Sequence, residues 1–239
     1  MGRVKQLVVC EAHDIVESSH WLSEMEIKLL QLCLAGIYQV EEIDRDTFYE
    51  IDKKEYARIF NLTEDAAYHA MTEASKLLMT RTLTLKSTLL DPEQAESSRT
   101  VIHWVHSCRY NSETSKVELK WHDNIIGLLC QLGESTLYSK YNLEDVCKLK
   151  SINAIRLYRI LNKWALAKTK TFDLKEYRRL MGFNEIEYTT FKHLNNQVIK
   201  PSLEAINLYT NLNAEVELKY TGRSVTGVTF NISKKKVEK

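Results

Sequence analysis

The chain has 239 residues, of which 44% are hydrophobic and 27% charged, with a formal net charge of +1. This composition is that of a globular protein, and the length allows one large domain or two of ordinary size. It excludes a membrane span, because the longest apolar stretches, such as LLQLCLAGI (29–37), are short and broken by polar residues. The five cysteines include no CxxC pair, which predicts reduced thiols in a cytoplasmic protein.

Charge is distributed unevenly along the chain. Residues 1–140 hold 15 Lys and Arg against 22 Asp and Glu, a net charge of −7, whereas residues 141–239 hold 18 against 10, a net charge of +8. This asymmetry predicts two domains with different partners, and the basic half is the one suited to a polyanion. An accident of surface composition is the alternative.

The first long predicted helix is EIKLLQLCLAGI (26–37), and Ser23 with Glu26 has the spacing of a capping box at its start. The later elements of the first half are a strand (47–52), two helices (54–62 and 63–79) and three strands (82–87, 100–110 and 116–121). The strands are predicted from their β-branched, aromatic and alternating residues.

The second half repeats this order, because KEYARIFNL (54–62) returns as KEYRRLMGF (175–183). The other elements of the second copy are a helix (154–165), a strand (169–174), a third helix (184–199) and two strands (215–220 and 225–232). Val216, Leu218 and Tyr220 alternate with polar residues, the pattern of a half-buried strand. The loop TGRS (221–224) between the last two strands predicts a hairpin.

Three helices followed by a β-hairpin form a winged helix, a variant of the helix-turn-helix. The predicted fold class is therefore α+β, mainly helical, with two tandem winged-helix domains related as an internal repeat. The predicted boundaries are 1–132 for the N-terminal domain, 133–152 for a helical linker and 153–239 for the C-terminal domain. The linker is predicted to be packed rather than loose, because it carries Leu143 and Val146 and is not rich in Gly or Ser.

The third helix of the second copy has an outer face without acidic residues. Phe191, Leu194 and Val198 share its apolar side. The side chains on or near the other side are Thr189, Lys192, His193, Asn196 and Lys200. In a winged helix this helix enters the major groove, where amides and a histidine read base edges and lysines contact phosphates. A solvated amphipathic helix is the alternative. The pair Lys200–Pro201 is predicted to bend or end the helix.

Further candidate DNA contacts lie on neighbouring elements. Arg223, at the tip of the predicted wing, suits a phosphate or the minor groove, and Arg178 with Arg179 on the preceding helix could anchor the DNA backbone. The remaining candidates are Lys219 on the wing, and Tyr68 and His69 on the third helix of the first copy.

Sequence signatures of catalysis are missing from the chain. It contains no HxH metal pair, no GxxxxGK[ST] phosphate loop and no GxSxG nucleophile. We therefore predict no enzymatic activity, no bound metal and no cofactor. A transcription regulator without a replication role is an open alternative, and a DNA-nicking enzyme is a disfavoured one.

The chain resembles the replication initiator (Rep) proteins of iteron-containing, theta-replicating plasmids from about residue 9 to residue 232. The stretches that carry the resemblance are LSEMEIKLLQLCLAGI, EYARIFNLTEDAAYHAMTEASKLL, WVHSCRY, TLYSKYNLEDVCKLKSINAIRLYRIL and VIKPSLEAINLYTNLNAEVELKYTGRSVTGVTF. The resemblance implies that the N-terminal domain forms a homodimer and makes auxiliary DNA contacts, while the C-terminal domain makes the main sequence-specific contacts.

The resemblance also implies partners. Monomers of this family bind origin repeats (iterons) in double-stranded DNA, promote origin opening and recruit the host replication initiator and replicative helicase. Dimers commonly repress their own gene, here at an operator inverted repeat. No membrane partner is implied.

One motif departs from the family pattern. The second recognition helix usually carries a basic triplet, whereas this chain has Asn195, Asn196 and Gln197. Arginine typically reads guanine, while asparagine and glutamine make paired hydrogen bonds to adenine. These three residues are therefore candidate base readers with a preference for adenine.

Overall fold

The computed structural model describes residues 7–20, 22–37, 46–111, 113–130 and 138–235. The chain divides into two compact units, Met1–Cys147 and Lys148–Lys239. No helix within the described ranges is both long and apolar enough to cross a membrane.

The first unit combines helices with three small antiparallel sheets. Its elements are β1 (Val8–Ala12), α1 (His13–Glu17), β2 (Ser19–His20), α2 (Glu24–Ile37), β3 (Tyr49–Asp52), α3 (Lys53–Phe60), α4 (Glu64–Leu78), β4 (Thr82–Lys86), β5 (Arg99–His103), β6 (Val105–Asn111), β7 (Lys116–Trp121), α5 (Asp123–Cys130), β8 (Tyr138–Asn142) and α6 (Leu143–Lys148). The strand orders are β1-β8, β2-β4-β5 and β3-β7-β6. The predicted order of helix, strand and two helices is confirmed, but four strands follow instead of three, because the predicted strand 100–110 bends at Trp104 and divides into β5 and β6.

The predicted capping box at the start of α2 is confirmed. The Ser23 N–H donates to the Glu26 carboxylate at 2.7 Å, and the Glu26 N–H donates to the Ser23 hydroxyl at 3.3 Å. The buried Glu26 carboxylate also accepts two bonds, of 2.7 and 3.3 Å, from the guanidinium of Arg81, which lies just beyond the end of α4. One carboxylate therefore caps α2 and ties it to the end of α4.

The described part of the predicted helical linker 133–152 is partly a strand and partly the short helix α6, in which Leu143 and Val146 are buried as predicted. Tyr138–Asn142 form β8, which pairs antiparallel with β1 from Val8↔Asn142 to Ala12↔Tyr138. The Tyr141 hydroxyl adds a 2.8 Å bond to the buried Glu11 carboxylate of β1. The first unit therefore extends to Cys147, because its N-terminal strand requires β8 as a partner. The predicted boundary at 132/133 lies outside the described residues.

The second unit packs three helical elements on one antiparallel sheet. Its elements are α7 (Ile152–Trp164), β9 (Thr169–Asp173), α8 (Leu174–Leu180), α9 (Phe191–Leu194), a π-helical segment (Asn195–Ile199), α10 (Lys200–Tyr209), β10 (Leu212–Thr221) and β11 (Ser224–Lys234). The sheet order is β10-β11-β9. Its core includes the rings of Phe172, Tyr177 and Phe230, with centroids 5.9 to 6.5 Å apart.

The repeated motif has the same local role in both units. Asp52 caps α3 by accepting the N–H groups of Lys54 and Glu55, and Asp173 caps α8 by accepting the N–H of Glu176. The tyrosine of KEY is buried in each copy, as Tyr56 and as Tyr177. The internal repeat is therefore structural, with an aspartate cap followed by a buried tyrosine.

The third helix of the second unit starts and ends later than predicted. It begins at Phe191 rather than near residue 184, because residues 185–188 form a separate turn. Of the two predicted effects of Lys200–Pro201, to bend or to end the helix, the end does not occur. The chain stays helical through Pro201 to Tyr209, and the π-helical segment lies just before α10, in which Pro201 is the second residue.

The predicted wing is confirmed as a hairpin of β10 and β11 that closes at Thr221↔Ser224. Gly222 has φ +61°, the positive value that the first loop position of a type II′ turn requires. The register shifts between Lys219 and Tyr220, which marks a β-bulge. Tyr220, predicted on the half-buried face, is instead 60% exposed, because it lies near the tip of the wing, where residues 219–224 are all exposed.

Gly227 lies where β11 approaches β9 too closely for a side chain. A Cβ atom there would lie 2.7 Å from the Phe172 carbonyl oxygen, a backbone atom that cannot move away alone. We expect Gly227→Ala to lower the free energy of unfolding by about 1–3 kcal/mol, measured by urea denaturation. Gly36→Ala is the control, because a Cβ at Gly36 meets nothing within 4 Å. An unchanged urea midpoint for Gly227→Ala would contradict the close approach.

Candidate nucleic-acid interface

The helix formed by α9, the π-helical segment and α10 has a buried side and an exposed polar side. Leu194, Val198 and Ile199 are buried. The exposed polar residues, named the recognition face below, are Lys192, His193, Asn196, Gln197 and Lys200. The sequence has no acidic residue between Glu187 and Glu204. The recognition face therefore offers hydrogen-bond donors and positive charge, and its orientation is fixed by the buried side.

Two residues predicted on this face are placed differently. Thr189 is exposed but precedes the helix, whose N-cap is Thr190, with its hydroxyl accepting the His193 N–H at 3.3 Å. The side-chain oxygen of Asn195 is buried and has no hydrogen-bond partner among the described residues. Asn195 is therefore turned at least partly inward, and the amides fully presented on the face are those of Asn196 and Gln197.

Arg178, predicted to contact the DNA backbone, has a role within the protein. Its guanidinium donates to the carbonyl oxygens of Asn184, Glu187 and Tyr188 at 2.8, 2.6 and 2.8 Å. These three carbonyls belong to the turn between α8 and α9. Several donors of Arg178 are therefore committed to holding the turn that precedes the recognition face.

The turn is also closed by its own side chains. The Asn184 side-chain oxygen accepts the N–H groups of Ile186 and Glu187, each at 3.0 Å, and the Glu187 carboxylate accepts the Asn184 N–H at 2.9 Å. Tyr188 then adopts φ +46°, a left-handed value that interrupts helical geometry. This reciprocal capping explains why residues predicted to begin the helix form a separate turn instead.

A second arginine binds the other end of the same connection. Buried Arg156 of α7 donates a hydrogen bond to the Met181 carbonyl, at the end of α8. Burial, together with the charge of nearby Arg159, lowers the pKa of Arg156 to about 10, so the side chain remains protonated at neutral pH. The connection between α8 and α9 is thus held by cations on backbone carbonyls at both ends.

The wing adds two exposed cations, Lys219 on β10 and Arg223 at the tip, as predicted from the sequence. It also exposes Tyr220 beside them, a residue that the sequence pattern assigned to the inner face. An isolated glycine in a strand, here Gly227, is the signal that could have indicated the bulge. Arg179, the remaining predicted contact of this unit, is exposed on α8.

The corresponding helix of the first unit is less suited to DNA. Tyr68 is half-buried and His69 is exposed on α4, as expected for a partly accessible helix face. However, α4 begins with Glu64 and Asp65, both exposed. The first residues of a recognition helix approach the base edges, where two carboxylates are repelled by phosphates. The described residues contain no group of three or more His, Cys, Asp or Glu that could hold a metal ion.

The two units, each with a helix-turn-helix and antiparallel strands, define a tandem winged-helix protein. The family model described as "Initiator Replication protein, WH1" matches residues 8–162, and "Initiator Rep protein, WH2" matches residues 173–232. The chain belongs to this family of initiator replication proteins.

Individual relatives agree with the family assignment. A replication initiation protein of Escherichia coli is 28% identical over 237 residues, which cover 96% of this chain and 70% of the relative. The crystal structure of the Pi initiator protein in complex with iteron DNA has a TM-score of 0.81 at 17% identity and covers 95% of this chain and 97% of that one. Domains 2 and 3 of RctB give a TM-score of 0.51 at 9% identity, covering 87% and 80%. At these identities the two structural similarities show the fold.

The role of Arg178 can be tested with a variant that keeps the positive charge but lacks the planar guanidinium group. Lysine has one ammonium group and cannot reach three carbonyls as the guanidinium does. We expect Arg178→Lys and Arg178→Ala both to lower the free energy of unfolding, by about 1–3 kcal/mol, in thermal unfolding followed by circular dichroism. Lys175→Ala, an exposed change on the same helix, should leave the stability unchanged. An Arg178→Lys variant as stable as the parent would instead favour a simple charge contact.

Proposed function

We propose that this chain is a plasmid replication initiator that binds origin iterons as a monomer, promotes origin opening and recruits the host replication initiator and helicase. We further propose that its dimer represses its own gene. Membership of the initiator replication protein family supports this proposal, as does the fold shared with the Pi initiator protein, which was solved with iteron DNA. The observation that carries it is the acid-free recognition face in a unit whose wing exposes Lys219 and Arg223.

The charge and chemistry of the second unit suit duplex DNA. Lys192 and Lys200 lie at the two ends of the recognition face, where they can contact phosphates, and such contacts release counterions and make affinity strongly dependent on salt. Asn196 and Gln197 lie between them and have the amide groups that pair with adenine in the major groove. The second unit is therefore proposed as the main sequence-specific module.

The first unit is proposed as the dimerisation module with an auxiliary DNA contact. Residues 1–140 carry a net charge of −7, which makes this unit the poorer surface for a polyanion. The exposed acids at the start of α4 point the same way. Protein–protein contact is the use to which such a surface is better suited.

Origin opening by this chain would depend on binding energy rather than on bond breaking. Smoothly bending a site of 20–30 base pairs costs roughly 1–6 kcal/mol, which several protomers on adjacent repeats can supply together. Host proteins would then load the helicase on the opened strands. The proposed location of the protein is accordingly the bacterial cytoplasm, at its plasmid.

The assignment of the recognition face can be tested by substituting two adjacent asparagines. Asn196→Ala should lose discrimination at one or two base pairs, by about 1–3 kcal/mol each, because it removes a paired amide contact. Asn195→Ala is the matched control and should retain discrimination, because the Asn195 side-chain oxygen is buried. Binding is measured by titrating duplexes that carry each single-base change, at several salt concentrations.

Lys200→Ala completes this series. It should weaken binding to all duplexes by the same factor and reduce the slope of log affinity against log salt concentration. If Asn196→Ala and Lys200→Ala both bound every duplex as the parent does, the recognition face would be assigned wrongly. If only Asn195→Ala lost discrimination between bases, Asn195 rather than Asn196 would be the residue that contacts a base.

The division of labour is tested with fragments cut at the observed boundary between units. Residues 1–147 keep β8 with its partner β1, which a cut at residue 132 would remove. We expect 1–147 to self-associate in sedimentation, while 148–239 stays monomeric and retains weak binding to a single repeat. A monomeric 1–147 together with a dimeric 148–239 would reverse the proposed roles.

A further inference from the structure

The recognition helix contains one wide turn at the position of its amides. Between α9 and α10, the Lys200 N–H donates to the carbonyl of Asn195, five residues earlier, instead of to Asn196, four residues earlier. The backbone remains right-handed and helical on both sides, with φ −66° and ψ −47° at Asn195 and φ −60° and ψ −53° at Lys200. The segment is therefore a π-turn within a continuous helix, a feature that is rare and often lies at functional sites.

Pro201 accounts for this turn. Proline has no N–H to donate to the carbonyl of Gln197, four residues earlier, and its ring would collide with that carbonyl in a regular α-helix. A turn with one additional residue moves the carbonyl away from the ring. The helix can then continue through the proline to Tyr209, as the structure shows.

The π-turn changes which side chains share a face. In an α-helix, residues eight apart, such as Lys192 and Lys200, are rotated by about 80° from one another, because each residue advances about 100°. A π-turn absorbs one residue, so the same pair is rotated by only about 20°. Lys192 and Lys200 therefore lie nearly in line along the helix, with the exposed Asn196 and Gln197 between them.

We propose that Pro201 is a positioning residue for sequence specificity, which enforces the π-turn and thereby sets the rotational register of the recognition face. This inference rests on the proposed function, since it specifies how the same face reads a DNA site. Pro201 contributes no donor of its own. Its effect is exerted through the alignment of the lysines that hold phosphates with the amides that read bases.

Pro201→Ala is the decisive variant, because it restores the missing N–H and removes the ring. The helix should become regular, so in a crystal structure of the variant the Lys200 N–H should donate to the Asn196 carbonyl and the new N–H at position 201 to the Gln197 carbonyl. Stability should stay the same or increase, since alanine is a far better helix former than proline. The preference for the cognate base at positions read by Asn196 should nevertheless fall about tenfold, a factor within the range of one paired base contact.

The test uses full-length protein and a duplex site selected by the parent from a random pool. Pro92→Ala, a change at the other proline of the chain, is the control and should keep the parent's base preference. A merely structural role for Pro201 would lower stability and affinity for all duplexes together, whereas the inference requires lost preference without lost stability.

Three outcomes distinguish a failure of the proposed function from a failure of the role proposed for Pro201. A parent protein that selects no sequence at all would overturn the proposed function itself. A parent that selects a site, together with a Pro201→Ala variant of identical base preference, would overturn only the inference. A crystal structure of Pro201→Ala in which the Lys200 N–H still donates to the Asn195 carbonyl would show that proline does not enforce the π-turn, and would overturn the inference as well.

Discussion

The recognition face depends on the hydrogen bonds that Arg178 makes to three carbonyl groups. The connection between α8 and α9 could adopt many conformations, and each residue that is fixed costs about 1–2 kcal/mol of conformational entropy. The guanidinium satisfies the carbonyls of Asn184, Glu187 and Tyr188 at once, and Arg156 satisfies that of Met181. The direction in which the following helix leaves the turn is thereby fixed, and with it every side chain presented on its outer surface.

The two units show how one motif can serve two purposes. Both begin the second helix of the helix-turn-helix with an aspartate cap and bury the same tyrosine, so the scaffold is shared. They differ in the turn and the helix that come next. In the first unit, Asn61 at φ 53° and the cap Thr63 close a short turn, and the third helix opens with two acids. In the second, a longer turn held by arginine leads to a helix whose first acidic residue is Glu204, beyond the recognition face. Charge and turn length, rather than fold, separate the surfaces of the two units.

The sequence predicts the structural features that are formed by residues close together in the chain. The capping box of Ser23 and Glu26 and the hairpin at Gly222 each involve residues a few positions apart, and both are readable from the sequence. Features that depend on distant partners are not. The sequence suggests a DNA contact for Arg178 because nothing in its neighbourhood marks the carbonyls it binds, and it suggests a linker in place of β8 because the partner strand lies 130 residues away. Pro201 predicts a bend or an end of the helix, but the helix continues through it, with one wide turn just before the proline.

The pairing of β1 with β8 has a consequence for how the protein is made. Glu11 and Tyr141 are joined across 130 residues, so the N-terminal strand has no partner in β8 until almost all of the first unit has been synthesised. Contacts of such sequence separation form slowly, because closing the intervening loop costs entropy before any bond is gained. During that interval the nascent chain carries a strand with unpaired N–H and C=O groups, and newly made neighbours on the same message carry the identical strand. The edge of β1 that pairs with β8 therefore stays open to such pairing until β8 has been synthesised.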